Sequence, residues 1–211
     1  MKRLIQPVNL LLIIFINLLF NANINFSSAE GPIQPKWLRR DITTGSAVAT
    51  YIDAVANINQ GETKEERGNR FKKFYTAFFG GDGTIIPDTE MVWEANDSNY
   101  WEYVGEADKD YSWELYIFTM PQDYTFTEGY IRWLAWGGSY WSVYVYRWNH
   151  NDNKFVKIDD NYEDPKVLRS IYFADSGWFD EDRKLYILFK SWTVPGGRWI
   201  ISDALYLDYK E

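Results

Sequence analysis

Residues 132 to 149, RWLAWGGSYWSVYVYRWN, hold four tryptophans and three tyrosines, and they are the densest source of ring chemistry in the chain. On an extended strand successive side chains point to opposite faces. Trp141, Val143, Val145 and Arg147 then share one face, which reads as core, and Tyr140, Ser142, Tyr144, Tyr146 and Trp148 share the other. Hydroxyl-tipped rings of the second kind can cover the apolar C–H face of a pyranose while flanking polar groups bond its hydroxyls. Tyr186 and Trp192 repeat the pattern in KLYILFKSW. The candidate ligand-binding set is therefore Tyr144, Tyr146, Trp148, Tyr186 and Trp192. Strand propensity alone also enriches these residue types, with a second element packed over them, and the sequence leaves both readings open.

Other reactive groups are sparse. His150 is the only histidine, it stands in the turn-like NHNDN, and there is no cysteine, so neither a zinc centre nor a catalytic triad can be assembled from pattern. Carboxylates cluster in DDNYED (159–164) and DEDRK (180–184). A glycosidase needs two acids at a defined separation, and spacing along the chain does not set that separation. No catalytic residue is assigned. The same oxygen-rich loops suit a hard cation such as calcium.

Asp203 is a special case. In WIISDALYLDY the parity of Trp199, Ile201, Leu205 and Leu207 also carries Asp203, placing a carboxylate on an apolar face. A buried charge is tolerated only when it is paired, protonated or bound to a cation. An arginine pair, or a bulge that turns Asp203 away, would each meet that demand.

The elements that must position these groups begin with an export signal. Lys2 and Arg3 precede an apolar run from Leu10 to Phe20 that is short for a bilayer, and Ser27-Ser28-Ala29 resembles a cleavage site. Residues 1–29 are thus expected to be a signal peptide, and the mature protein to be secreted, whether extracellular, at the cell surface or periplasmic, without stable membrane insertion. The formal charge of −8 becomes −10 once Lys2 and Arg3 leave with the signal, which argues against nucleic acid as a partner.

Residues 30–43 read as an extended lead-in. Val48, Tyr51, Ile52, Val55 and Ile58 fall at helical spacing. A second helix is marked by the capping-box pattern Thr63 to Glu66 and the stripe Phe71, Phe74, Tyr75, Phe78, closed by Gly80-Gly81. Together they predict a helical hairpin over 44–81. From there the period changes to two, with strands expected at 89–94, 111–119, 129–136, 140–148, 154–158, 167–173, 184–191 and 199–209. The fold class expected is mainly β, an antiparallel sandwich spanning 82–211.

WELYIFTMP, YIRWLAWGG, WSVYVYRWNHNDNKFVKI, KLYILFKSW and SDALYLDYKE together resemble the galactose-binding-like jelly-roll modules of secreted bacterial and archaeal proteins, over about residues 89 to 211. The resemblance implies a usually non-catalytic β-sandwich that binds carbohydrate and carries a structural calcium near its first and last strands; Asp203 is then the candidate ligand, with Asp208 as an alternative. The first expectation for function is a non-catalytic carbohydrate-binding or cell-surface adhesion protein, its partner a polysaccharide or cell-surface glycan. An envelope protein-interaction module using the same rings is the second, and a polysaccharide-active glycosidase or lyase the third.

Overall fold

The computed structural model describes residues 36–51, 53–55, 61–86, 89–95, 99–104, 111–123, 125–137, 142–162, 167–174, 176–191 and 199–210. The expected signal segment and positions Trp141 and Trp192 lie outside them.

The described chain is mainly β, with two antiparallel sheets and one α-helix. The strands are β1 (Trp37–Asp41), β2 (Thr44–Thr50), β3 (Thr84–Ile85), β4 (Trp101–Val104), β5 (Tyr111–Thr119), β6 (Glu128–Gly137), β7 (Val143–Asn149), β8 (Lys154–Asp160), β9 (Arg169–Phe173), β10 (Lys184–Ser191) and β11 (Trp199–Lys210). One sheet has the order β1-β11-β6-β9, with β4 also pairing β11; the other runs β3-β2-β5-β10-β7-β8. The larger core lies between the sheets and draws on both, through Ile131, Trp133, Leu205 and Leu207 from one and Tyr116, Phe118, Val145, Ile187 and Phe189 from the other.

The helix α1 (Lys64–Phe79) starts where the capping box predicts. Thr63 Oγ1 accepts from the Glu66 N–H at 3.2 Å, and the Glu66 carboxylate accepts from the Thr63 N–H at 2.7 Å. Its ring stripe then packs on the outer face of the six-stranded sheet. Phe74 meets Trp113 at 5.6 Å between centroids, and Phe71 stacks on Trp148 at 4.0 Å. Val48, Leu115, Ile117 and Leu188 complete this second core. Polar ties fix the helix at both ends: Arg67 Nε donates to the Asp152 carbonyl at 2.7 Å, and buried Ser46 donates to the Phe78 carbonyl at 2.8 Å.

Residues 44–50 overturn the first half of the expected hairpin, because they form strand β2 rather than a helix. The helical spacing drew on apolar residues beyond Thr50, whereas the strand is specified by alternation of small residues that hydrophobicity does not register. Gly45, Ala47 and Ala49 pair across from Tyr116, Glu114 and Ser112, and a Cβ at Gly45 would stand 2.8 Å from the Tyr116 ring and from Ile86. Tyr116 needs that gap. The strand expected at 89–94 is also corrected, since Thr89–Val92 forms a 3-10 turn whose Val92 plugs the core between the sheets.

Candidate binding face

Whereas α1 covers one sheet, the outer face of the other carries the solvent-exposed rings Trp37 and Tyr172. In β1, β6, β9 and β11 the inward parity is apolar, so Trp37, Arg39, Tyr130, Arg132, Tyr172, Tyr206, Asp208 and Lys210 fall on the outward one. The register aligns them in rows. Asp208 pairs with both Arg39 and Tyr130, and Tyr130 with Tyr172; Lys210 pairs with both Trp37 and Glu128. The result is a run of three rings across the sheet. Trp37 and Tyr130 lie 5.3 Å apart and Tyr130 and Tyr172 5.2 Å apart, with planes tilted by 43° and 55°. Trp37 is 42 % exposed and Tyr172 51 %.

Cations and carboxylates are interleaved with the rings. Arg132 lies 4.9 Å from the Tyr130 ring centre and 3.0 Å from an Asp208 oxygen. Arg39 lies over Tyr206 at 4.1 Å, binds Asp41 at 2.6 Å, and donates to the Trp93 carbonyl. Lys210 sits over Trp37 at 4.8 Å and donates to Glu128, which also accepts from the Tyr172 hydroxyl at 2.7 Å. The bond from Lys210 holds the Glu128 carboxyl below its ordinary range, and donation to Glu128 raises the Tyr172 hydroxyl above its own. Glu128 is therefore an anion at neutral pH and Tyr172 a neutral donor. Sequence reasoning passed over this face, although WLRRD, YIRW and LYLDYK each alternate rings with charges. Only the strand order brings them together.

Of the rings singled out in the sequence, Tyr144, Tyr146, Trp148 and Tyr186 lie on the opposite sheet. Trp148 is 5 % exposed beneath Phe71, and Tyr186 is buried 5.7 Å from the same ring, its hydroxyl donating to Asp180 at 2.9 Å. Tyr146 packs against the helix-covered core, where desolvation pushes its hydroxyl up to about 12. Tyr144 is half-buried with Lys157 4.6 Å over its ring, and Lys157 binds Asp160 at 2.5 Å. The structure thus brings Trp148, Tyr146 and Tyr186 together as packing under α1, with Tyr144 toward the β8 edge. His150 stands in the β7–β8 turn, half-buried, its pKa lowered by desolvation.

Strand β11 departs from simple alternation. Ser202 pairs with Ala135 and Ala204 with Leu134, so Asp203 is the extra residue of a bulge. Ile200 faces inward before it and Leu205 and Leu207 after it, which removes Asp203 from the shared apolar parity expected above. It is nonetheless only 4 % exposed. Among the described residues no group of three or more His, Cys, Asp or Glu side chains converges, so a carboxylate cage of the kind calcium prefers is not assembled around it there.

Another acid, Glu114, is completely buried between the sheets. Strand β5 has two core faces, with Trp113, Leu115 and Ile117 toward α1 and Glu114, Tyr116 and Phe118 toward the other sheet. Tyr116 donates to Glu114 Oε2 at 2.8 Å, and Ser202, beside the bulge, donates to the same oxygen. Oε1 has no hydrogen-bond partner among the described residues. Desolvation raises this carboxyl to about 7, against the two donated bonds. A cavity of about 360 Å³ near Met120, Phe126, Phe179 and Arg183 holds the other noteworthy acid, Asp180, already bound by Tyr186 and the Lys184 N–H. Comparison of the chain with protein-family models and with curated proteins finds no match.

Proposed function

We propose that this protein is a secreted, non-catalytic carbohydrate-binding protein that holds its glycan on the outer face of the five-stranded sheet. The observation that carries the reading is the run Trp37, Tyr130, Tyr172, its two end rings exposed and its middle ring half-buried, flanked by hydrogen-bonding side chains. Rings of this kind cover sugar C–H faces, and Arg132, Asp208, Glu128 and the Tyr172 hydroxyl stand beside them for sugar hydroxyls. A galactose-binding-like jelly roll belongs to the same reading, supported by antiparallel sheets sharing one core. A structural calcium at Asp203 would have to draw its further oxygens from backbone carbonyls at the bulge; calcium should then raise the melting temperature, and Asp203→Ala abolish the rise.

A mixed glycan array tests the function. Binding by the wild type, lost in Trp37→Ala and Tyr172→Ala, with no reducing ends released, is the expected result. Capture of an envelope protein with no glycan bound would replace it with a protein-interaction role, and released reducing ends with an enzyme.

A further inference from the structure

The outer face also carries information about which glycan it takes, and this inference rests on the carbohydrate-binding reading above. Among the described residues, each cation named on the face is already matched: Arg132 by Asp208, Arg39 by Asp41, and Lys210 by Glu128. Glu94 adds a further carboxylate 3.8 Å from Arg39. A carboxylated or phosphorylated polymer would have to break one of these pairs and approach a chain of formal charge −8. Ring geometry adds an independent restriction. Planes tilted by 43° and 55° at successive contacts cannot lie flat together on a crystalline surface. A single flexible chain can turn from one ring to the next where a flat surface cannot.

We propose that the ligand is one uncharged, soluble polysaccharide chain, laid across the strands so that successive sugars meet Trp37, Tyr130 and Tyr172. The ion pairs beside the rings act on sugar hydroxyls as paired donors and acceptors, and their mutual neutralisation excludes acidic polymers.

Affinity electrophoresis of the purified protein distinguishes the possibilities. The gels would contain galactomannan or a soluble mixed-linkage glucan as neutral polymers, and polygalacturonate or alginate as acidic ones; sedimentation with microcrystalline cellulose supplies the crystalline surface. Retardation by a neutral polymer alone is expected, weakened about tenfold by Trp37→Ala or Tyr172→Ala. Circular dichroism checks that these exposed-site variants stay folded. Asp208→Asn, which frees Arg132, should gain retardation by the acidic polymers. Retention by acidic polymers or by crystalline cellulose in the wild type would overturn the inference while leaving a carbohydrate function standing. Neutral-polymer binding that ignores both ring substitutions would overturn it too, by placing the site elsewhere. Failure to bind any of these materials, together with a blank glycan array, would overturn the underlying reading itself.

Discussion

Glu114 concentrates the residue-scale chemistry of this molecule. Its carboxyl is raised from 4.5 to about 7 chiefly because burial disfavours the anion. The folded state therefore binds its proton more tightly than the unfolded state, and stability falls as pH rises from about 4.5 to about 7. Below that window the group contributes no pH dependence, and above it the loss is complete, about 3 kcal/mol by linkage. Denaturant titrations between pH 4.5 and 8 should show the slope, and Glu114→Gln, which keeps an acceptor for Tyr116 and Ser202, should flatten it. Trp148→Ala should cost about 3–5 kcal/mol of stability in the same assay, because the ring lies against Phe71 in a closed core. It should leave binding at the outer face intact. Parity along β7 correctly divided Val143 and Val145 from Tyr144, Tyr146 and Trp148. What parity could not reveal is what covers each face, since that depends on α1, more than sixty residues earlier in the chain.

At the scale of elements, α1 shows how local and distant terms divide the work. The capping box satisfies backbone donors that would otherwise lack partners at the helix start. Thr63→Ala should destabilise the protein by about 1 kcal/mol, measured by urea denaturation. Phe74→Ala removes a fully enclosed ring and should cost about 3–5 kcal/mol in that measurement. Both the start of this helix and its buried stripe were legible in the sequence, as were most strands from β5 onward, because strong patterns lie within single segments. β2 was not legible, because its residues are small, and one of them, Gly45, is fitted to Tyr116 across the sheet. Nor was the parity of β11, which holds from Leu205 onward but breaks at the bulge. The candidate face was the least legible feature, since it comes from four strands whose order is not written in any one of them.

The whole molecule is organised around β5 and β10, each buried on both faces. Their inward side chains meet the five-stranded sheet, and their outward side chains meet α1 or its surrounding core. Loss of the helix would expose Trp113, Leu115 and Leu188, while loss of the second sheet would expose Phe118, Ile187 and Phe189. The two cores should consequently melt together. Calorimetry should give a single transition, with calorimetric and van't Hoff enthalpies in agreement, and tryptophan fluorescence and far-ultraviolet circular dichroism should follow the same curve. The pairing of β1 with β11 has a mechanical consequence as well. Trp37, at the start of β1, lies opposite Lys210, at the end of β11. Tension between those two residues loads the nearest rung of the ladder first, so β1 peels away pair by pair, like a zipper. Tension between Thr44 and Tyr111 instead acts from opposite ends of the β2–β5 ladder and loads its registered pairs together in shear. A molecule held at residues 37 and 210 would therefore yield at low force along β1, while the strands beneath α1 remained closed.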